Sequence, residues 1–181
     1  MFLQRLLRPG PARAAGERLY AATVAQARQP ALYERLGAPD TPDGRFEVYT
    51  AHVLLVLERL RGEGGAAAAT SQAFFDAYLA GLDHGLRELA VGDLAVSKTM
   101  RKLGEAFYGR GKALQAAFDA LPDRAELDGL VERTVFGGKE GSDPAPLGDY
   151  LVAVHAALGA ASAEALLAGE IPWPSLEPQL G

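Results

Sequence analysis

Residues 74–110 read FFDAYLAGLDHGLRELAVGDLAVSKTMRKLGEAFYGR. Two amphipathic helical patterns flank a break at Val91-Gly92-Asp93. Before it, Phe75, Tyr78, Leu79, Leu82, Leu86 and Leu89 recur at spacings of three and four, the period of an α-helix with one buried face. Gly92 supplies a permissive residue for the joint and Asp93 a capping oxygen for the next helix. After it, Val96, Met100, Leu103, Phe107, Leu114 and Phe118 form one stripe that runs to about Leu121. At about 100° per residue, Lys98, Arg101, Lys102, Glu105, Gly109 and Lys112 share roughly a third of the circumference away from that stripe. Tyr108 borders this basic face, and Arg110 borders the apolar one.

Outward from this segment the pattern stays helical. Ala14–Gln29 reads as a first helix, and Ala31–Leu36 as a short turn closed by Gly37. Thr41-Pro42 is a helix start, because Thr offers a capping oxygen and Pro fits the first turn. Phe46, Tyr49, Val53, Val56, Leu57 and Leu60 follow at helical spacing, and Leu54 and Leu55 widen the face, so this helix is expected to be central. Gly62–Gly65 ends it, and Ser71 is the expected cap of the helix that carries Phe75 and Tyr78. Pro122–Phe136 predicts a short helix closed by Gly137-Gly138. Pro144–Gly169 predicts one long last helix, and the tail IPWPSLEP is non-helical, with Trp173 folded back on the body. No alternating or β-branched run supports a strand. The fold class is therefore all-α: a single helical domain of about six to eight helices without a sheet. Residues 1–13 are expected to be a flexible N-terminal segment, and 14–181 the domain, with its tail from about 170.

The totals narrow the function. The 181 residues, 49% hydrophobic and 23% charged, suffice for one domain with a real core. The absence of cysteine removes disulfides and thiolate metal sites. Net charge is −5, unevenly placed. Residues 1–113 carry 15 Lys and Arg against 12 Asp and Glu, whereas 114–181 carry 3 against 11. Such asymmetry suggests one surface for an anionic partner and another that repels it. The longest apolar run, Val53–Leu57, is far shorter than a membrane span. The N-terminal residues lack the apolar core of a signal peptide, and Phe2–Leu7 is a candidate for touching a membrane surface.

Catalytic constellations are thin. His84 and Glu88 stand one turn apart, a minimal ligand spacing that is two ligands short of a metal site. His52 and His155 read as structural histidines at the core edge. Gly109-Arg110-Gly111-Lys112 fails as a phosphate loop, for want of a preceding strand and of the Ser or Thr after the lysine. Asp76, Asp83 and Arg87 read as an ion-paired outer helix face more readily than as an acid–base pair. The expectation is a non-enzyme without metal or cofactor. Its candidate partner-binding residues are Lys98, Arg101, Lys102, Tyr108, Arg110 and Lys112, and Gly92, Asp93, Phe107 and Gly109 shape the segment. A protein, ribosomal RNA or an anionic membrane surface all fit such a face, as does plain solvation; a pI near 5.2 falls short of the usual nucleic-acid footprint.

Two stretches resemble the ubiquinol–cytochrome c chaperone family. One is LYERLGAPDTPDGRFEVYTAHVLLVLERL, residues 32–60. The other comprises Leu86–Glu88, Val91–Asp93, Val96–Lys102 and Glu105–Arg110. With Trp173-Pro174 the resemblance covers most of residues 30–174; Ala90, Thr99 and Gly104 depart from the family pattern. It implies a non-enzymatic, all-α protein that binds newly made cytochrome b and supports assembly of respiratory complex III. It also implies possible contacts with the ribosome and an anionic membrane, no DNA, and a cytoplasmic or inner-membrane-peripheral location (the matrix in a mitochondrial relative). Mitochondrial relatives work with a small partner protein. Arg far outnumbers Lys, consistent with a bacterial member. The rival readings are a helical small-molecule enzyme built on His84, Asp76, Asp83 and Arg87, and an RNA-binding helical module.

Overall fold

The computed structural model describes residues 10–88 and 93–176, without the side chains of 93–95. Phe2–Leu7, Gly92 and the rest of the Val91-Gly92 break lie outside the described residues. Eight helices follow in chain order among them: α1 (Pro11–Ala27), α2 (Pro30–Glu34), α3 (Pro42–Leu60), α4 (Gly65–Glu88), α5 (Asp93–Asp119), α6 (Ala125–Thr134), α7 (Ala145–Ala160) and α8 (Ala163–Leu167). The described residues contain no strand. The expected all-α single domain is what the chain builds.

α3 is the axis of the core. Val48, Val53, Leu55, Val56 and Leu60 are almost completely buried, and so are Glu47, Thr50 and His52. A helix covered on nearly every side explains why its apolar pattern is too wide for a single stripe. α1, α4, α5 and α7 pack around it, α6 bridges α5 and α7, and α8 lies against α1 and α4. Thr41 caps α3 as its sequence predicts, its Oγ1 accepting the Gly44 amide at 3.1 Å.

Three departures from the sequence reading have identifiable physical reasons. α1 opens at Pro11 and not at Ala14, because proline suits a first helical turn; Pro11–Arg13, expected within the flexible segment, are helical. α4 starts at Gly65, since Ala66–Ala69 are strong helix formers, so Ser71 lies inside the helix and does not cap it. Its most buried side chains are Ala67, Thr70, Phe74 and Tyr78, with Phe75, Leu79 and Leu82 only half-buried. The expected long last helix is two helices. Arg59 of α3 donates to the Leu158 and Ala161 carbonyls at 2.9 and 2.6 Å, which closes α7. Ser162 Oγ then accepts the Ala165 amide and caps α8. Arg18 of α1 finishes α8 by donating to the Ala168 and Leu167 carbonyls at 2.8 and 3.3 Å. Cations on terminal carbonyls satisfy the orphan acceptors and oppose the helix dipole.

The closest helix pair is α1 with α4. A Cβ on Gly16 would stand 2.6 Å from the Phe74 amide nitrogen, so only glycine permits this approach. Gly16→Val should lower the urea midpoint by several tenths of its value or prevent folding, whereas Ala21→Val, at an exposed site of the same helix, should leave it near wild type.

His52 sits wholly inside the core, not at its edge. Its Nδ1 is 2.7 Å from the Val48 carbonyl, which can only accept, so Nδ1 carries the proton. Nε2 is then the acceptor for the Tyr150 hydroxyl at 2.8 Å. That hydroxyl in turn accepts from Gln26 Nε2 at 2.9 Å. The chain ties α1, α3 and α7 together, and Trp173 covers it with its ring 5.4 Å from the imidazole. Burial pushes the His52 pKa down to about 4, against the opposing hydrogen bond to Val48. The folded protein therefore resists a proton that the unfolded chain accepts near 6.5. This contribution to stability is complete above about pH 6.5 and is lost as pH falls toward 4, up to about 3 kcal/mol. Urea denaturation at pH 7 and pH 4.5 should show a stability loss that shrinks in His52→Gln. Tyr150→Phe should cost about 1–3 kcal/mol at pH 7 by leaving His52 and Gln26 without their shared partner.

Candidate functional site

The two faces of α5 differ as their residues require. Val96, Phe107, Leu114 and Ala117 are buried. Phe107 lies among the rings of Phe75 and Tyr78, with centroids 5.1 and 5.3 Å away. Lys98, Arg101, Lys102, Glu105, Gly109 and Lys112 are all exposed. The four cations make no ion pair among the described residues. Tyr108 beside them is 73% exposed, the large hydrophobic side chain among the described residues that stands in solvent. No neighbour lies within 4 Å of where a Cβ on Gly109 would stand, so packing does not explain glycine there. Asp93 opens α5.

Arg110 separates from this group. Its guanidinium turns inward and grips the Glu47 carboxylate of α3 with both arms, Nε at 2.6 Å from Oε2 and Nη2 on Oε1. It also stands over the Phe46 ring at 5.8 Å. The carboxylate side chain is one-tenth exposed and the guanidinium one-quarter. Glu47 belongs to the GRFE run of the first stretch and Arg110 to the EAFYGR run of the second, so the two motifs meet in one ion pair. The remaining letters have equally local reasons. Gly44 is forced, because a Cβ there would meet the Pro39 carbonyl oxygen at 2.2 Å. Arg45 pairs with Asp40, which holds that carboxyl below the usual range chiefly through the hydrogen bond.

Beside Tyr108 the surface falls into a groove between α3, the start of α4 and α5. It has two adjoining hollows of about 370 and 660 Å³ that share Leu57, Arg61, Phe107 and Tyr108. Leu54 and Leu114 floor the first hollow, and Phe75 and Leu60 the second. Glu58, Lys112, Asp119 and His155 make its rim. His155 is exposed, not at the core edge, and stacks on Phe118 at 4.2 Å and 9°. Sequence periodicity marks Phe107 and Leu114 as core and Leu57 as buried. It does not show that these stripes stop short of one another and leave apolar surface between helices.

The other candidates stay apart. His84 and Glu88 face each other at 3.2 Å on an exposed surface. Asp83 pairs with Arg87 at 2.7 Å, and that bond lowers its pKa. Asp76 accepts from Gln72. Among the described residues no three His, Asp or Glu side chains group to hold a metal.

Comparison with known proteins places this architecture. The profile described as ubiquinol-cytochrome C chaperone matches residues 34–173, from the turn before α3 through Trp173. The chain belongs to this family. The crystal structure of the Cbp3 homolog from Brucella abortus is similar to it with a TM-score of 0.83 and 39% identity, over 97% of this chain and 98% of that one. No curated protein sequence matches. The family resemblance read from the two motif stretches is thus the right one, and the Glu47–Arg110 pair is where those stretches join.

Removing one member of such a pair leaves a poorly solvated charge. Arg110→Met should cost about 2–4 kcal/mol, and the double variant Glu47→Leu/Arg110→Met should recover part of the loss. A double-mutant cycle by chemical denaturation measures the coupling.

Proposed function

We propose that the chain is a non-enzymatic assembly chaperone whose client is newly made cytochrome b, held while ubiquinol–cytochrome c reductase is assembled. The observation that carries this reading is the apolar groove under Tyr108. It is formed within the stretch that matches the chaperone family, from surface that could have been buried and was not. A cluster of exposed apolar surface rimmed by charge marks a protein or membrane contact. A membrane protein before insertion offers apolar helices that such a groove can shield, and its cytoplasmic loops are basic. The acidic surface contributed by residues 114–181 suits those loops.

The basic face of α5 serves a second contact in this proposal. Lys98, Arg101, Lys102 and Lys112 meet an anionic surface, either lipid or ribosomal RNA, at the place where the client emerges. None of the helices among the described residues is long and apolar enough to cross a membrane. The functional unit is the helical domain with its tail, since Trp173 packs on His52.

Affinity capture from membranes should enrich cytochrome b with the wild-type chain and lose it with Tyr108→Glu. That exposed substitution should change stability by no more than about 0.5 kcal/mol. Equal capture by the variant, or none by wild type, would sink the proposal. Replacing Lys98, Arg101 and Lys102 together by Glu should abolish sedimentation with membranes or ribosomes while preserving helicity. Steep loss of binding to naked RNA with salt, without cytochrome b capture, would favour an RNA-binding module instead.

A further inference from the structure

The larger hollow of the groove, about 660 Å³, opens at the end of the bundle where α3 stops and α4 starts. Leu57 and Leu60 of α3, Phe75 of α4, and Phe107 and Tyr108 of α5 face it. The wall toward the start of α4 is low. From residue 62 to 69 the chain is glycine and alanine except for Glu63, which Arg59 holds. A Cβ on Gly62, Gly64 or Gly65 would meet no atom within 4 Å. Only small side chains therefore stand between the hollow and the opposite side of α4 at this corner.

That opposite side carries α1. Gly16 of α1 lies against Ala73 and Phe74, and Tyr20 lies against Gly81, so the two helices run in the same direction. At about 1.5 Å per residue, α1 opens beside the first turns of α4. Ala68, Gln72 and Phe75 line the hollow, about half a turn round α4 from the residues that touch α1. Gly10, just before α1, is extended at ψ 156°, and Pro9 and Pro11 disfavour a helix at the residues before them. Three extended residues, 8–10, cover about 10 Å, which is the width of a helix. The chain before them therefore has the length to reach the hollow.

Its sequence has the character to fill it. Residues 1–8 read MFLQRLLR. Phe2, Leu3, Leu6 and Leu7 recur at the spacing of one helix face, and Gln4, Arg5 and Arg8 fall on the other. We propose that residues 2–7 cross the glycine and alanine corner and fill the larger hollow when no client is bound, so that the chain occludes its own groove. Phe2, Leu3, Leu6 and Leu7 pack against Leu57, Leu60, Phe75 and Tyr108, and the two arginines stay in solvent. This inference rests on the reading of the groove as the client site. A short tether holds the segment at an effective concentration of about 1 mM. An intrinsic dissociation constant of about 0.1 mM then fills the hollow roughly nine-tenths of the time. A client has to displace the segment, which weakens its apparent affinity about tenfold.

The chain has no cysteine, so Gln4→Cys in the full chain gives one site for a nitroxide label. The label should broaden the amide resonances of Ser71, Gln72 and Tyr108 and spare that of Arg45, at the other end of α3. Phe2→Ser/Leu6→Ser should remove the broadening. The same pair in the unlabelled full chain should raise affinity for detergent-solubilised cytochrome b about tenfold. Absence of broadening in the wild-type segment overturns the occlusion and leaves the chaperone reading intact. Equal broadening of an unlabelled copy mixed with the labelled one shows a second copy in the groove, and overturns it too. Expected broadening with equal cytochrome b affinity in wild type and variant overturns the inhibitory role. Failure of both forms to bind cytochrome b counts against the client reading alone, with the broadening still establishing the occlusion.

Discussion

A helix buried on nearly every side must satisfy its inward polar side chains without water, and in α3 that constraint falls hardest on His52. Its imidazole is enclosed completely, so each ring nitrogen needs a partner supplied by the protein. Val48 provides one from the same helix and Tyr150 the other from α7. Tyr150 then needs Gln26 from α1 to fill its own acceptor. One directional chain of hydrogen bonds thus sets the distance and rotation of three helices, where apolar contacts alone would permit sliding. Thr50, two residues earlier and on the other side of the helix, makes the same kind of bond to Tyr78 of α4 at 3.0 Å. The polar residues of α3 are the register marks of the bundle.

With α3 fixed, α5 is placed by charge. The Glu47–Arg110 pair is the ion pair between those helices, and the Arg61–Gln115 hydrogen bond at the end of α3 supports it. Three residues of one six-residue run, EAFYGR, therefore divide the work: Phe107 and Arg110 anchor the helix inward, while Tyr108 projects outward. The groove exists because the anchors hold α5 at a set distance from α3 and α4. A basic helix face without such anchors would be an ordinary solvated surface.

The helical period, the Thr41 cap and the proline and glycine punctuation were enough to read the fold class and the central position of α3 from the sequence. They are local signals, strong within a turn or two. The ends of α7 and α8 were not legible, because they depend on Arg59 and Arg18, whose carbonyl partners lie about a hundred residues or more away. Neither was the inward turn of Arg110, which sequence periodicity set at the border of two faces and Glu47 decides. Glu47 did carry a signal of its own, an acid set between the apolar Phe46 and Val48. His52 reads as structural in the sequence, and the backbone carbonyl of Val48 is one of its partners; the other, a tyrosine hydroxyl 98 residues later, was out of reach of any local signal. Lys98, Arg101 and Lys102 could be put on one face from spacing alone. The groove beside them could not, since it is made by three helices failing to touch.

The span of these long contacts gives the chain a schedule. On a ribosome, α1 and α3 emerge while α7, α8 and the Trp173 tail are still unmade, so Gln26 and Arg18 lack their distant partners, Arg59 has only Glu63 beside it, and His52 remains open to water. Non-local contacts of this kind cannot form piecemeal. α1 and α4, whose close contact lies wholly within residues 11–88, can pack before the last turns arrive, and those turns then close the polar chain over His52.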